Sequence, residues 1–125
     1  MSHTVSVKAV EMKNIDLLKQ VAAAKNIEYL GSKVFNLYAG QTAEGHGFQL
    51  KGWRYPVVIN TESGTASYDT FNGSWGHQSE LDSLVQDYVA ASNLQQAALN
   101  GYMLASQTTD EQGNITQVFE SAFSA

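Results

Sequence analysis

The chain has no cysteine, one proline, few basic residues and no long apolar run. Each of these absences removes a class of function. Without cysteine there is no disulfide framework, no thiolate metal site and no sulfur nucleophile, and a reducing compartment is the natural expectation. No apolar segment approaches the roughly 20 residues needed to span a bilayer. The polar opening Met1-Ser2-His3-Thr4 has neither the basic nor the continuously apolar part of a secretory signal. A cytoplasmic protein without membrane contact is expected. Seven Lys plus Arg stand against twelve Asp plus Glu, and no Lys or Arg follows Arg54. That balance opposes the counterion-release term behind most nucleic-acid binding, so no nucleic-acid partner is expected. The acidic remainder suits a solvated surface or a basic partner.

What is present is enough for one core. The 125 residues are 43% hydrophobic, which offsets chain entropy over one domain spanning 1–125. Val5, Val7 and Ala9 alternate with polar neighbours, which predicts a strand over 3–12. Asn14 is placed to cap a helix over 15–25, whose Ile15, Leu18, Val21 and Ala22 recur at helical spacing and whose end at Asn26 suits a left-handed stop. Aromatic and β-branched runs broken by glycines then predict antiparallel strands over 28–40, 46–52, 55–61 and 65–71. Pro56 marks an edge or a strand start, and 61–64 a tight turn. Ser79 with Asp82 reads as the cap of a long second helix ending at Asn100-Gly101, and a hairpin about 110–114 closes the chain. The fold class expected is α+β, a mostly antiparallel sheet with two helices packed on one face.

These features resemble the domain-of-unknown-function 1257 family, a conserved cyanobacterial and chloroplast reading frame also carried by phages. The likeness rests on the Met1-Ser2-His3 opening, Val34-Phe35-Asn36-Leu37-Tyr38-Ala39-Gly40-Gln41, Trp75-Gly76, Tyr88, Ala97, Gly101-Tyr102 and Gly113-Asn114-Ile115. The segment 46–67 and the Phe-Ser-Ala end depart from it. The resemblance implies the domain extent and a photosynthetic or phage setting, and it transfers no catalytic residue.

No nucleophile elbow, zinc-protease helix, kinase set or Walker loop occurs. His3, His46 and His77 lack metal-ligand spacing. Neither a metal nor a cofactor is implied. Recognition is better supported than catalysis. Gly40-Gln41-Thr42-Ala43-Glu44-Gly45-His46-Gly47 reads as a loop whose amides could meet an anion, or as a plain connection between strands. Lys51-Gly52-Trp53-Arg54-Tyr55 offers two cations beside two aromatic faces, although core packing of the aromatics with snorkelling basic tips explains the same pattern. The candidate ligand-binding residues are Tyr38, Gly45, His46, Lys51, Trp53, Arg54, Trp75 and His77.

The function expected is a small non-enzymatic binding or regulatory module for an anionic small molecule or a protein partner. In a phage setting it could sequester a host metabolite or signal. The alternative is an enzyme on a small anionic substrate, with Lys51 or Arg54 as clamp and His46 or His77 as proton carrier. A homo-oligomer is expected as well, because Leu94, Leu99 and Met103 do not all fit the apolar face set by Leu81, Leu84, Val85 and Tyr88. A bend near Ser92-Asn93, folding the second half of the helix onto the chain's own sheet, would account for the same residues without a partner.

Overall fold

A computed structural model describes residues 12–70, 74–112 and 114–121, and the backbone of 5–7. The elements follow in the order β1 (Val5–Val7), α1 (Ile15–Ala24), β2 (Glu28–Asn36), β3 (Thr42–Gln49), β4 (Val57–Asn60), β5 (Thr65–Tyr68), α2 (Gln78–Leu99), β6 (Tyr102–Thr109) and β7 (Ile115–Ser121). β1 to β5 form one antiparallel sheet in the order β1-β5-β4-β3-β2, and β6 pairs with β7 apart from it. The chain is thus α+β, with α1 and α2 together on one face of the sheet.

Local chemistry explains most boundaries. Asn14 Oδ1 accepts from the Leu17 amide at 3.1 Å and caps α1, and Asn26 takes the left-handed conformation that stops it. Pro56 immediately precedes β4, so its missing donor falls at a strand start. The Asn60 side chain accepts from the Glu62 and Ser63 amides and closes the 61–64 turn. One cap differs from expectation. α2 begins at Gln78 behind His77, whose side chain makes no capping bond, and Ser79 already lies inside the helix.

The core lies between helices and sheet. Leu17, Leu18 and Ala22 of α1 meet Leu81, Leu84 and Tyr88 of α2 over Phe48, Val57, Ile59, Ala66 and Tyr68 of the sheet. Polar contacts lock the two helices together: the Tyr88 hydroxyl accepts from the Asn14 amide at 3.2 Å, and Lys25 Nζ reaches Asp87 and Ser83, each at 2.8 Å. Among the described residues no helix is long and apolar enough to cross a membrane.

The other face of the sheet is covered by the chain's own β2–β3 ribbon. Phe35 pairs with Ala43, four residues from Gly47, or roughly 13 Å along an extended strand. Yet a Cβ on Gly47 would run into the Phe35 ring. No phenylalanine side chain bridges that distance along a flat ribbon, so the ribbon curls back over the sheet. A register shift between Tyr29 and Gly31 bends β2. On β3, a Cβ at Gly45 would lie 2.6 Å from the Ile59 carbonyl oxygen. Under the ribbon, Phe35, Leu37 and Val58 are buried.

Two expectations are corrected here. The predicted glycine-rich loop 40–47 is mostly strand β3, and its glycines allow backbone and ring to approach closely. α2 is one helix through Ser92 and Asn93, and no residue of its second half beyond Ala90 is buried, so that half does not cover the sheet. It carries the β6–β7 hairpin instead, through Gln117, whose amide donates to the Ala90 carbonyl at 3.1 Å and to Gln107 Oε1 at 3.0 Å and accepts from Asn93 at 3.2 Å.

Candidate functional site

Three connections converge below the curled ribbon. The first is the ribbon tip, where the Leu37 amide donates to the Gln41 carbonyl at 2.7 Å across a tight turn and leaves Tyr38 on the surface. The second joins β3 to β4. The predicted strand does not continue through Lys51; a turn at Lys51 and Gly52 reverses the chain, and the Trp53 amide donates back to the Leu50 carbonyl at 3.2 Å. The Gln49 side-chain amide fixes this turn by donating to the Trp53 carbonyl at 2.6 Å and the Leu50 carbonyl at 3.2 Å. The third connection leads from β5 to α2, where the Trp75 amide donates to Thr70 at 2.9 Å.

The second and third connections interlock. The Arg54 amide donates to the Trp75 carbonyl at 2.7 Å, while the Trp53 ring goes inward against Gly76, where a Cβ would strike it. Adjacent residues therefore have opposite fates. Trp53 is 4% exposed and meets Tyr68 edge-on at 5.9 Å, which makes it core. Arg54 turns outward with Tyr55 onto Trp75.

The outward group is a cluster of one tilted and one edge-on ring pair. Trp75 lies 5.0 Å from Tyr38 and 5.4 Å from Tyr55 between ring centroids. The Arg54 guanidinium sits over both rings of the lower pair, 5.2 Å from Trp75 and 5.9 Å from Tyr55. No carboxylate among the described residues forms an ion pair with Arg54. Arg54 is exposed, so its N–H donors are open to solvent. The arrangement can accept a carboxylate or phosphate at that edge and an apolar or aromatic group against the rings.

Of the eight residues singled out from the sequence, the structure joins Tyr38, Arg54 and Trp75 and adds Tyr55. The others lie elsewhere. Trp53 is core, so its role as a ligand contact is corrected. Gly45 and His46 are on β3, where His46 Nδ1 is 2.8 Å from the Tyr29 hydroxyl and the two rings stack at 5.9 Å, with Lys19 Nζ over Tyr29 at 4.7 Å. Lys51 lines a separate depression with Lys25, Asn26, Glu28 and Glu80. His77 is exposed at the start of α2. His3 lies outside the described residues, and among those described no group of three or more His, Asp or Glu is disposed to hold a metal.

Tyr55 had a signal in the sequence, as the aromatic next to Arg54. Strand alternation assigns it the face opposite Arg54, and the turn at Gly52 overrides that assignment. Comparison with protein-family models, curated proteins and solved structures found no match to this chain.

Proposed function

We propose that the chain is a small non-enzymatic binding module whose ligand, a small molecule or a segment of a protein partner, carries an anionic group to Arg54. One observation carries this reading: an exposed guanidinium over half-buried Trp75 and Tyr55, with no acidic partner among the described residues, in a protein of net charge −5. An acidic chain that leaves a cation unneutralised on an aromatic platform keeps a point of attraction for anions, and Trp, Tyr and Arg are the residues that most often dominate binding surfaces. A cytoplasmic setting, a homo-oligomer and the resemblance to the domain-of-unknown-function 1257 family belong to the same proposal. In a phage, the same site would serve to sequester a host metabolite or signal.

The competing reading, an enzyme on a small anionic substrate, draws support from the His46–Tyr29 pair. Its proposed clamp residues, Lys51 and Arg54, sit on a connection past the end of β3 and do not stack on that pair, which weighs against it.

A thermal-shift screen of nucleotides, sugar phosphates, carboxylic acids and acidic peptides tests the module. We expect stabilisation by at least one of these without chemical conversion, and loss of the response in Arg54→Gln and Trp75→Ala. Turnover that vanishes in His46→Ala, with both site variants active, would replace the module with the enzyme.

A further inference from the structure

We infer that the arm formed by the second half of α2 and the β6–β7 hairpin is the surface on which two copies of this chain associate about a twofold axis. The inference rests on the homo-oligomer reading and is independent of the Arg54 site.

Charge gives the first argument. Residues 88–109, covering the last three turns of α2 and all of β6, contain no Asp, Glu, Lys, Arg or His, whereas the whole chain is 15% charged with a net charge of −5. Two acidic chains repel wherever their carboxylates meet, so a self-association surface must be cleared of them. This stretch is, and the arm's carboxylates lie on the hairpin turn, at Asp110 and Glu111, and on β7, at Glu120 opposite Met103.

Apolar exposure gives the second. Seven large hydrophobic side chains are exposed among the described residues, and five are on the arm: Leu94, Leu99, Tyr102, Met103 and Val118. Leu99 is the extreme, 80% exposed. Between them stand Gln95, Gln96 and Asn100, amides that both donate and accept and so can face their own copies across a twofold.

The hairpin's exposure gives the third. No described residue of β6 or β7 is buried. Finally, a two-stranded hairpin is marginal alone and leaves two open edges. A second hairpin brought alongside by a twofold runs antiparallel to the first and can pair with an edge.

Light scattering after size exclusion, with the full chain at micromolar concentration, tests this. We expect twice 13.6 kDa for the wild type, the single-chain mass for Leu99→Glu and for Met103→Glu, and no change for Val34→Glu, which alters an exposed apolar residue on the ribbon. Both arm positions are exposed, and matched urea melts confirm that the variants fold. A wild type at the single-chain mass would overturn the inference and the homo-oligomer reading together. A wild type at twice the mass that withstands both arm substitutions, or separates on Val34→Glu, would overturn the arm alone and leave the homo-oligomer reading standing.

Discussion

Trp53 and Trp75 make the clearest contrast at the scale of single residues. Trp53 is held in the core by Tyr68 and Gly76, so Trp53→Ala should cost about 3–5 kcal/mol, as truncation of a large buried ring does. Trp75 is half-buried on the surface cluster, and Trp75→Ala should cost less than half as much in urea melts while removing the anion response. Equal losses of stability would show that Trp75 is core as well. Trp53 Nε1 is also buried without a hydrogen-bond partner among the described residues, and an orphaned donor of this kind costs roughly 1–3 kcal/mol. Trp53→Phe removes the orphan along with part of the ring, and the two effects oppose each other. The variant should therefore stay within about 1 kcal/mol of the wild type, far from the alanine value. At Arg54, a lysine keeps the charge but loses the planar stack and the paired donors, so Arg54→Lys should weaken anion binding in a titration of the best ligand. Undiminished affinity would mean that charge alone, without the platform, holds the ligand.

At the scale of elements, the β2–β3 ribbon is the device that builds the site, because its curl brings Tyr38 to a platform made by two other connections. The curl depends on Gly47 lying under Phe35. Gly47→Ala overpacks that contact and should cost about 1–3 kcal/mol. In the background of Phe35→Ala the same substitution should cost much less, since the added methyl then enters vacated space, and a double-mutant cycle measures the difference. Additive effects would mean that Phe35 does not rest on Gly47. The end of α2 is a separate case. Gly101 has φ of 80°, as its position behind Asn100 leads one to expect, and its amide donates to Ala98 at 3.2 Å. Gly101→Val should cost roughly 1 kcal/mol or more, because a β-branched residue is strained in this conformation.

The whole molecule divides into a two-layer body and an arm. The body has a continuous core and should unfold cooperatively. The arm is a largely exposed hairpin along half a helix, uncharged from 88 to 109 and joined to that body through α2. If two arms pair, folding and association are linked, and the melting temperature should rise with protein concentration by mass action. Leu99→Glu should make it independent of concentration. Scanning calorimetry across a hundredfold range of concentration reads this directly. A concentration-independent transition in the wild type would separate folding from association.

Periodicity and cap chemistry act over a few residues, so the sequence by itself determined the features that depend on them. The apolar spacing of α1 and α2, Asn14 as a cap, Asn26 and Gly101 as stops, Pro56 at a strand start and the hairpin about 110–114 are all local facts. The oddly placed Leu94, Leu99 and Met103 were also legible as residues without room in the core. What covers the second face of the sheet was not. Gly45 and Gly47 read as an open loop, because the β3–β4 pairing that sets Gly45 against Ile59 and the curl that sets Gly47 under Phe35 are not local features. Alternation likewise set Arg54 and Tyr55 on opposite faces, until the turn at Gly52 brought both onto Trp75. The candidate site is built from three connections distant in sequence. Which residues of such connections meet is decided by how the intervening elements pack, and that is why tertiary structure alone assembled Tyr38, Arg54, Tyr55 and Trp75.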